Sequence, residues 1–326
     1  MLVAPLLAAA LLWTNPGVAG TIKADGSSTV YPITDFTAAE FQKLKKNAVN
    51  VTVDISGTTG GFRKFCRGEI DIADASRPIN AGEIADCQKG GVEYVELPVA
   101  FDALTVVVNP RNKFLTGISV EELKKLWEPA AEGRIRSWRQ VNADWPDAPI
   151  RLFGPGGDSG TFDYFTEAII GKARASRRDY TASEDDNVLV QGVARDVNAL
   201  AYFGFAYYVA NKGKLKAVPI APERGAAAIE PSLETVNKGS YRPLSRPIFI
   251  YVAVKSLARA EVSEFTEFYL RTAAQAARAV NYVPLPDSAY RGALERLQNR
   301  KKGSVFQGSA EVGMTIEELL RLEAKP

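Results

Sequence analysis

Residues 21–46 read TIKADGSSTVYPITDFTAAEFQKLKK, and the fold follows from how this stretch changes character along its length. Thr21-Ile22-Lys23-Ala24-Asp25 suits a short strand, Gly26-Ser27-Ser28-Thr29 a turn, and Tyr31 to Lys46 carries helical phases marked by Ile33, Phe36 and Phe41. The same succession recurs. Val49 to Ile55 (VNVTVDI) alternates and is β-branched, then enters Ser56-Gly57-Thr58-Thr59-Gly60-Gly61 and a short helix near Phe62 to Arg67. Arg151-Leu152-Phe153 leads into Gly154-Pro155-Gly156-Gly157-Asp158-Ser159-Gly160-Thr161 and a helix from Phe162 to Ile170. Strand, glycine-rich turn and helix in alternation predict an α/β fold with largely parallel sheets.

Further strands are expected at Ile70–Ala73, Tyr94–Leu97, Leu104–Val108 and Phe249–Val254. Helices are expected at Val120–Trp127, Glu261–Val280 and Ala289–Asn299, and surface loops over Ala221–Tyr241. A chain of 326 residues exceeds what one packed core usually holds, so two domains are expected. Apolar residues at 46% and charged residues at 24% describe an ordinary globular protein.

Composition also excludes chemistry. The chain has no histidine, which removes Ser-His-Asp and Cys-His catalysis and every His-ligated zinc site. Two cysteines alone build neither a four-cysteine zinc site nor an iron–sulfur cluster. With 40 basic against 38 acidic residues, no global field draws the protein to nucleic acid. No metal or cofactor is expected.

Residues 1–20, MLVAPLLAAALLWTNPGVAG, form an apolar run too short to span a bilayer, and they end in small residues. This predicts a secretory signal cleaved after Ala19 or Gly20, although no Lys or Arg precedes the apolar run. In an oxidising compartment Cys66 and Cys87 are expected to form one disulfide; two buried free thiols are the alternative. The leader has no cysteine for a lipid anchor, so a soluble periplasmic protein follows.

The three turns share a chemistry. Each is rich in hydroxyls, follows a strand and opens a helix, where backbone N–H groups lack intrahelical acceptors and the helix dipole favours an anion. For any one such turn the N-cap reading comes first; three in one chain point to an anion site. Neither G-x-x-x-x-G-K-[ST] nor a helix-opening G-x-G-x-x-G is present, so no nucleotide site is indicated. Arg77, directly after Ser76 at a strand end, is the natural cation, with its planar fork of donors; a surface pairing with Asp74 or Glu69 is the alternative.

These motifs resemble a known family. Asp25-Gly26-Ser27-Ser28-Thr29-Val30-Tyr31-Pro32, Ala73-Asp74-Ala75-Ser76-Arg77-Pro78-Ile79 and Gly154 to Phe165 resemble the periplasmic phosphate-binding proteins of ABC transporters, the PstS family, in its cyanobacterial SphX-like branch. Pro243-Leu244-Ser245-Arg246-Pro247-Ile248-Phe249-Ile250-Tyr251-Val252 and Tyr282-Val283-Pro284-Leu285-Pro286 agree, so the resemblance spans about residues 20–290.

The resemblance implies a two-lobed periplasmic-binding-protein fold of the Venus-flytrap kind (class II). Lobe I would hold residues 21–107 and 253–326 and lobe II residues 108–252, with hinge strands near Leu104–Asn109 and Phe249–Val254. It implies that Ser28 and Thr29, Thr58 (with Thr59 as its neighbour), Ser76 and Arg77, and Ser159, Gly160 and Thr161 bind phosphate. Two positions depart from the family pattern. Ser76 stands where many relatives have aspartate, and Pro155-Gly156 where many have arginine. Arg77 is therefore expected to supply the cation, and Asp158, or alternatively Asp74, the acceptor for the phosphate proton.

The implied function is capture of inorganic phosphate and delivery to an ABC importer permease by a monomer, without catalysis. Rivals are a binding protein for another tetrahedral oxyanion (sulfate, molybdate, arsenate), a secreted phosphatase-like enzyme and a phosphate sensor.

Overall fold

The computed structural model describes residues 19–309 and 312–324. The expected signal segment therefore lies outside the described residues, except that Ala19 and Gly20 open the first strand. In chain order the main strands are β1 (Ala19–Gly26), β2 (Val49–Ile55), β3 (Ile72–Ala75), β4 (Tyr94–Val108), β5 (Arg151–Gly154), β6 (Ala199–Gly204) and β7 (Ser245–Ala253). The main helices are α1 (Tyr31–Leu44), α2 (Thr58–Phe65), α3 (Ala81–Lys89), α4 (Val120–Trp127), α5 (Gly160–Ile170), α6 (Asp186–Arg195), α7 (Ala260–Ala279), α8 (Asp287–Gln298) and α9 (Ile316–Glu323).

The strands lie in the order β2-β1-β3-β7-β4-β6-β5. β1 runs parallel to β2 and β3, as short strand–helix–strand units require. β7 is antiparallel to both of its neighbours, β3 and β4. β4 joins the two lobes. It pairs with β7 over Tyr94–Ala103, then changes partner and pairs with β6 over Leu104–Val108. β6 in turn runs parallel to β5.

Separate strands are expected at Tyr94–Leu97 and Leu104–Val108 in the stretch that forms β4, and Pro98, which lacks the N–H that a ladder needs, falls between them. Instead all 15 residues form one buried strand, with a register shift between Ile248 and Phe249 of β7 opposite Pro98. The bulge absorbs the missing donor. β7 lies opposite Tyr94–Ala103 of β4 along its whole length and pairs with β3 over Phe249–Val252.

Each lobe has its own aromatic packing beneath the site. In the first, Phe41 of α1 meets Phe265 of α7 edge-on at 5.2 Å. In the second, Phe165 of α5 stacks on Tyr202 of β6 at 3.7 Å, and Trp127 of α4 packs edge-on against Tyr202 at 5.0 Å. This packing fixes the axis, and so the N-terminus, of α5. α4 itself starts on a capping box, in which Ser119 and Glu122 each accept the other's backbone N–H.

Cys66 and Cys87 form a disulfide that ties the end of α2 to α3. Closing a loop of this size stabilises the fold by about 3 kcal/mol in the chain-entropy account. Replacing both cysteines by alanine is expected to cost about 2–5 kcal/mol in urea unfolding, whereas an unchanged midpoint would mean the bond is energetically idle.

Candidate functional site

The turns that open α1, α2 and α5 meet where the two lobes face each other. In the β1–α1 turn Ser28 and Thr29 are buried. The Tyr207 hydroxyl donates to the Ser28 carbonyl at 2.9 Å, and that of Tyr282 to the Thr29 carbonyl at 2.7 Å. Both carbonyls are thereby tied down, which fixes the turn. In the second lobe Ser159 caps α5, its Oγ accepting from the N–H groups of Thr161 and Phe162.

Four hydroxyls form the centre. Thr29 Oγ1 lies 3.1 Å from Thr161 Oγ1, across the lobes, and Thr58 Oγ1 lies 3.2 Å from Ser76 Oγ. Two glycines permit this approach. Gly57 has φ +75°, and a Cβ there would sit 2.4 Å from the Asp158 carbonyl oxygen of the opposite lobe. A Cβ on Gly160 would sit 2.5 Å from Thr58 Oγ1 and 2.7 Å from Ser76 Oγ. The structure thus brings Ser28, Thr29, Thr58, Ser76, Ser159, Gly160 and Thr161 to one seam.

Arg77 is placed differently from its expected role as the cation. All five of its N–H donors are taken by protein acceptors. Nε donates to Asp163 at 2.9 Å, and Nη1 and Nη2 each donate to Glu83 at 2.8 Å. The other two donate to the Pro78 carbonyl at 3.1 Å and to Thr59 Oγ1 at 2.9 Å. Glu83 belongs to the first lobe and Asp163 to α5 of the second, so Arg77 spans the seam as a latch. Asp158 is also placed elsewhere, its carboxylate turned outward onto Arg63 and 38% exposed. Asp74 is fully buried, with Oδ1 accepting from Thr34 and Oδ2 without a hydrogen-bond partner among the described residues. Burial, reinforced by Asp25 and opposed by Thr34, holds its carboxyl well above the usual range.

The cation at the hydroxyls is Arg246, 1% exposed at the start of β7. Its Nη2 donates to Thr161 Oγ1 at 2.7 Å and Thr29 Oγ1 at 3.3 Å, and Nη1 to the Gly160 carbonyl at 3.4 Å. Asp102 of β4 lies directly opposite in register, and its Oδ2 accepts from Nη2 at 3.0 Å and Nε at 3.2 Å. The carboxylate thereby orients the guanidinium. Burial raises the Asp102 carboxyl, against the pull of Arg246 and the Phe205 N–H.

Asp186, first residue of α6, completes the site. It is 1% exposed, hydrogen-bonds Ser28, and among the described residues its Oδ2 has no hydrogen-bond partner. Burial, with Asp102 adding to it, pushes this carboxyl up to about 8. Sequence reasoning missed Arg246, Asp102 and Asp186. A lone Arg and a lone Asp, each in a long apolar strand, were the available signals.

Two lobes joined through shared strands, with helix-opening turns facing each other across the seam, are the architecture of the periplasmic-binding-protein class. A family profile described as a PBP superfamily domain matches residues 14–272. The chain is 52% identical over 302 residues to protein SphX of Synechococcus elongatus, covering 93% of this chain and 88% of that one. It is 37% identical over 285 residues to the phosphate-binding protein PstS of Staphylococcus aureus, covering 87% and 84%. The chain belongs to the SphX and PstS family. Among solved structures, a possible phosphate-binding protein from Planctomyces limnophilus matches with TM-score 0.62 and 48% identity, over 86% of this chain and 98% of that one. A putative phosphate ABC transporter substrate-binding protein with bound phosphate, from Clostridium perfringens, shares the fold at TM-score 0.68 and 22% identity, over 82% and 100%.

Proposed function

We propose that this chain is a periplasmic binding protein that captures inorganic phosphate between its lobes and delivers it, without catalysis, to the permease of an ABC importer. The observation that carries this is Arg246. It is a buried guanidinium, oriented by Asp102, whose donors reach hydroxyls of both lobes at once. Thr29, Thr58, Ser76 and Thr161 supply neutral donors around it, and the head of α5 adds the Gly160 N–H, those of Thr161 and Phe162 being capped by Ser159. A tetrahedral oxyanion bound among them gains contacts from both lobes only when they close, so it shifts the open–closed equilibrium toward the closed form. The lobe boundary falls where β4 changes partner, between Ala103 and Leu104, with the return before Ser245. Among the described residues no helix is long and apolar enough to cross a membrane.

Calorimetry on ligand-stripped protein tests this. One equivalent of phosphate is expected to bind with measurable heat; no heat with phosphate, sulfate or arsenate would overturn the proposal.

Selectivity between phosphate and sulfate rests on Asp186. With its carboxyl at about 8, it holds a proton at neutral pH and tolerates either anion. Above that it is ionised and repels sulfate, whereas hydrogen phosphate brings its own proton to share. Sulfate competition is therefore expected to fall as pH rises through about 8. In Asp186→Asn it should lose that pH dependence; a profile identical to wild type would remove Asp186 from this role.

The raised carboxyl also has a sign for stability. The folded state holds a proton that the unfolded chain releases above its ordinary carboxylate range. The stability from Asp186 is thus full in acid and lost as pH rises through about 8.

A further inference from the structure

One face of α5 carries more than the seam hydroxyls. Tyr164 stands three positions after Thr161 and four after Gly160, so all three share that face. The Gly160 carbonyl and Thr161 Oγ1 accept from Nη1 and Nη2 of Arg246. The guanidinium carbon of Arg246 lies over the Tyr164 ring, 5.4 Å from its centre. The Tyr164 hydroxyl turns instead to the backbone beside that arginine. Its single proton faces the carbonyls of Ser245 at 2.7 Å and Pro243 at 3.0 Å, and its oxygen accepts from the Gly313 N–H at 2.8 Å.

A planar guanidinium offers two kinds of surface. All its donors lie along the edge, where Asp102, Thr29, Thr161 and the Gly160 carbonyl gather. An anion must find its bonds on that same edge, so Asp102 orients Arg246 while occupying donors. The faces carry no N–H. A ring over one face holds the cation through its π electrons and takes no donor from the anion. The hydroxyl meanwhile holds Ser245, the residue before Arg246, so the side chain is fixed at both root and tip. Tyr164 is buried, and burial, opposed by the Gly313 N–H and Arg246, pushes its phenol up to about 12. The hydroxyl therefore remains a donor throughout the neutral range.

We propose that Tyr164 is a positioning residue of the anion site, a role that rests on phosphate being the anion bound. It sets Arg246 from its face and from its backbone, and leaves the edge of the guanidinium to the ligand.

Calorimetry with phosphate, joined to nitrogen-15 NMR of the Arg246 side chain in phosphate-saturated protein, tests this. The Nε–H signal is assigned as the one missing from Arg246→Lys. Tyr164→Phe keeps the ring and loses the hydroxyl, whereas Tyr164→Leu loses both. Phosphate affinity is expected to fall about three- to tenfold in Tyr164→Phe, the worth of one hydrogen bond. In Tyr164→Leu it should fall about threefold further or more, as the ring goes too. The Nε–H signal should lose rigidity in the same order, which a loss of stability alone would not produce. A wild-type protein that gives no heat with phosphate defeats the proposed function itself. Wild-type binding with unchanged affinity in both variants, or weakened binding with an Nε–H as rigid as before, overturns only the role of Tyr164.

Discussion

Arg246→Gln is expected to abolish phosphate binding, with a loss of at least about a thousandfold from two or more charge-assisted hydrogen bonds at about 2 kcal/mol each. No other described arginine reaches the hydroxyls of Thr29 and Thr161. Removing it also strips the buried Asp102 carboxyl, which burial already raises, of its partner, a cost of about 3–5 kcal/mol in stability. That second effect would blur a single variant, so the paired change Asp102→Asn with Arg246→Gln is the sharper test. It removes both charges from a site where Asp102 is 1% exposed, and the fold should survive. Circular dichroism checks folding and calorimetry reads affinity. A folded double variant that binds phosphate as wild type does would remove Arg246 from the site. Arg246→Lys should fall between, because a single ammonium keeps the charge but cannot span two hydroxyls and Asp102 together.

Gly160→Ala is expected to leave each lobe intact and stop them from meeting. The added Cβ would lie 2.5 Å from Thr58 Oγ1, 2.7 Å from Ser76 Oγ and 2.9 Å from Thr58 Cβ. Threonine is short and branched, so it cannot swing aside as a long side chain would. Alanine in the first turn of α5 is otherwise welcome, since it favours the helix over glycine. The strain of overpacking, about 1–3 kcal/mol, therefore falls on the closed state alone and weakens phosphate by roughly ten- to a hundredfold. Small-angle scattering should show wild type contracting with phosphate and the variant contracting less. Equal contraction and equal affinity would show that the seam relaxes around the methyl group.

Local chemistry made much of this legible. The strand–turn–helix units at β1–α1, β2–α2 and β5–α5 announce themselves through alternation, glycine and hydroxyl residues within about twenty positions. Thr29, Thr58, Ser159 and Thr161 sit at those same turns, and Ser76 follows β3 directly, so the hydroxyls of the site were readable too. The charges were not. Arg246 and Asp102 are 144 residues apart, and only the register of β7 on β4 sets them side by side. Arg77 has acidic residues near it in sequence, but Asp163, which reaches it from the opposite lobe, is 86 positions away. Pairing between distant strands and packing between lobes are properties of the assembled fold, and a local pattern carries no trace of them.

The latch at Arg77 has a consequence for how the protein discharges its cargo. Part of the free energy that keeps the lobes together comes from an ion pair inside the chain, between Arg77 and Asp163. Apparent affinity is the intrinsic affinity scaled by the fraction of molecules already competent to bind. An ion pair between Arg77 and Asp163 across the lobes is expected to raise that fraction, and being 5% and 7% exposed the two residues are shielded from salt. The residence time of the anion is then expected to depend on two places: the seam of hydroxyls around Arg246, and the Arg77–Asp163 pair that bridges the lobes beside it. Sequence drift at Asp163 would change how long the cargo is held while leaving which cargo is chosen untouched.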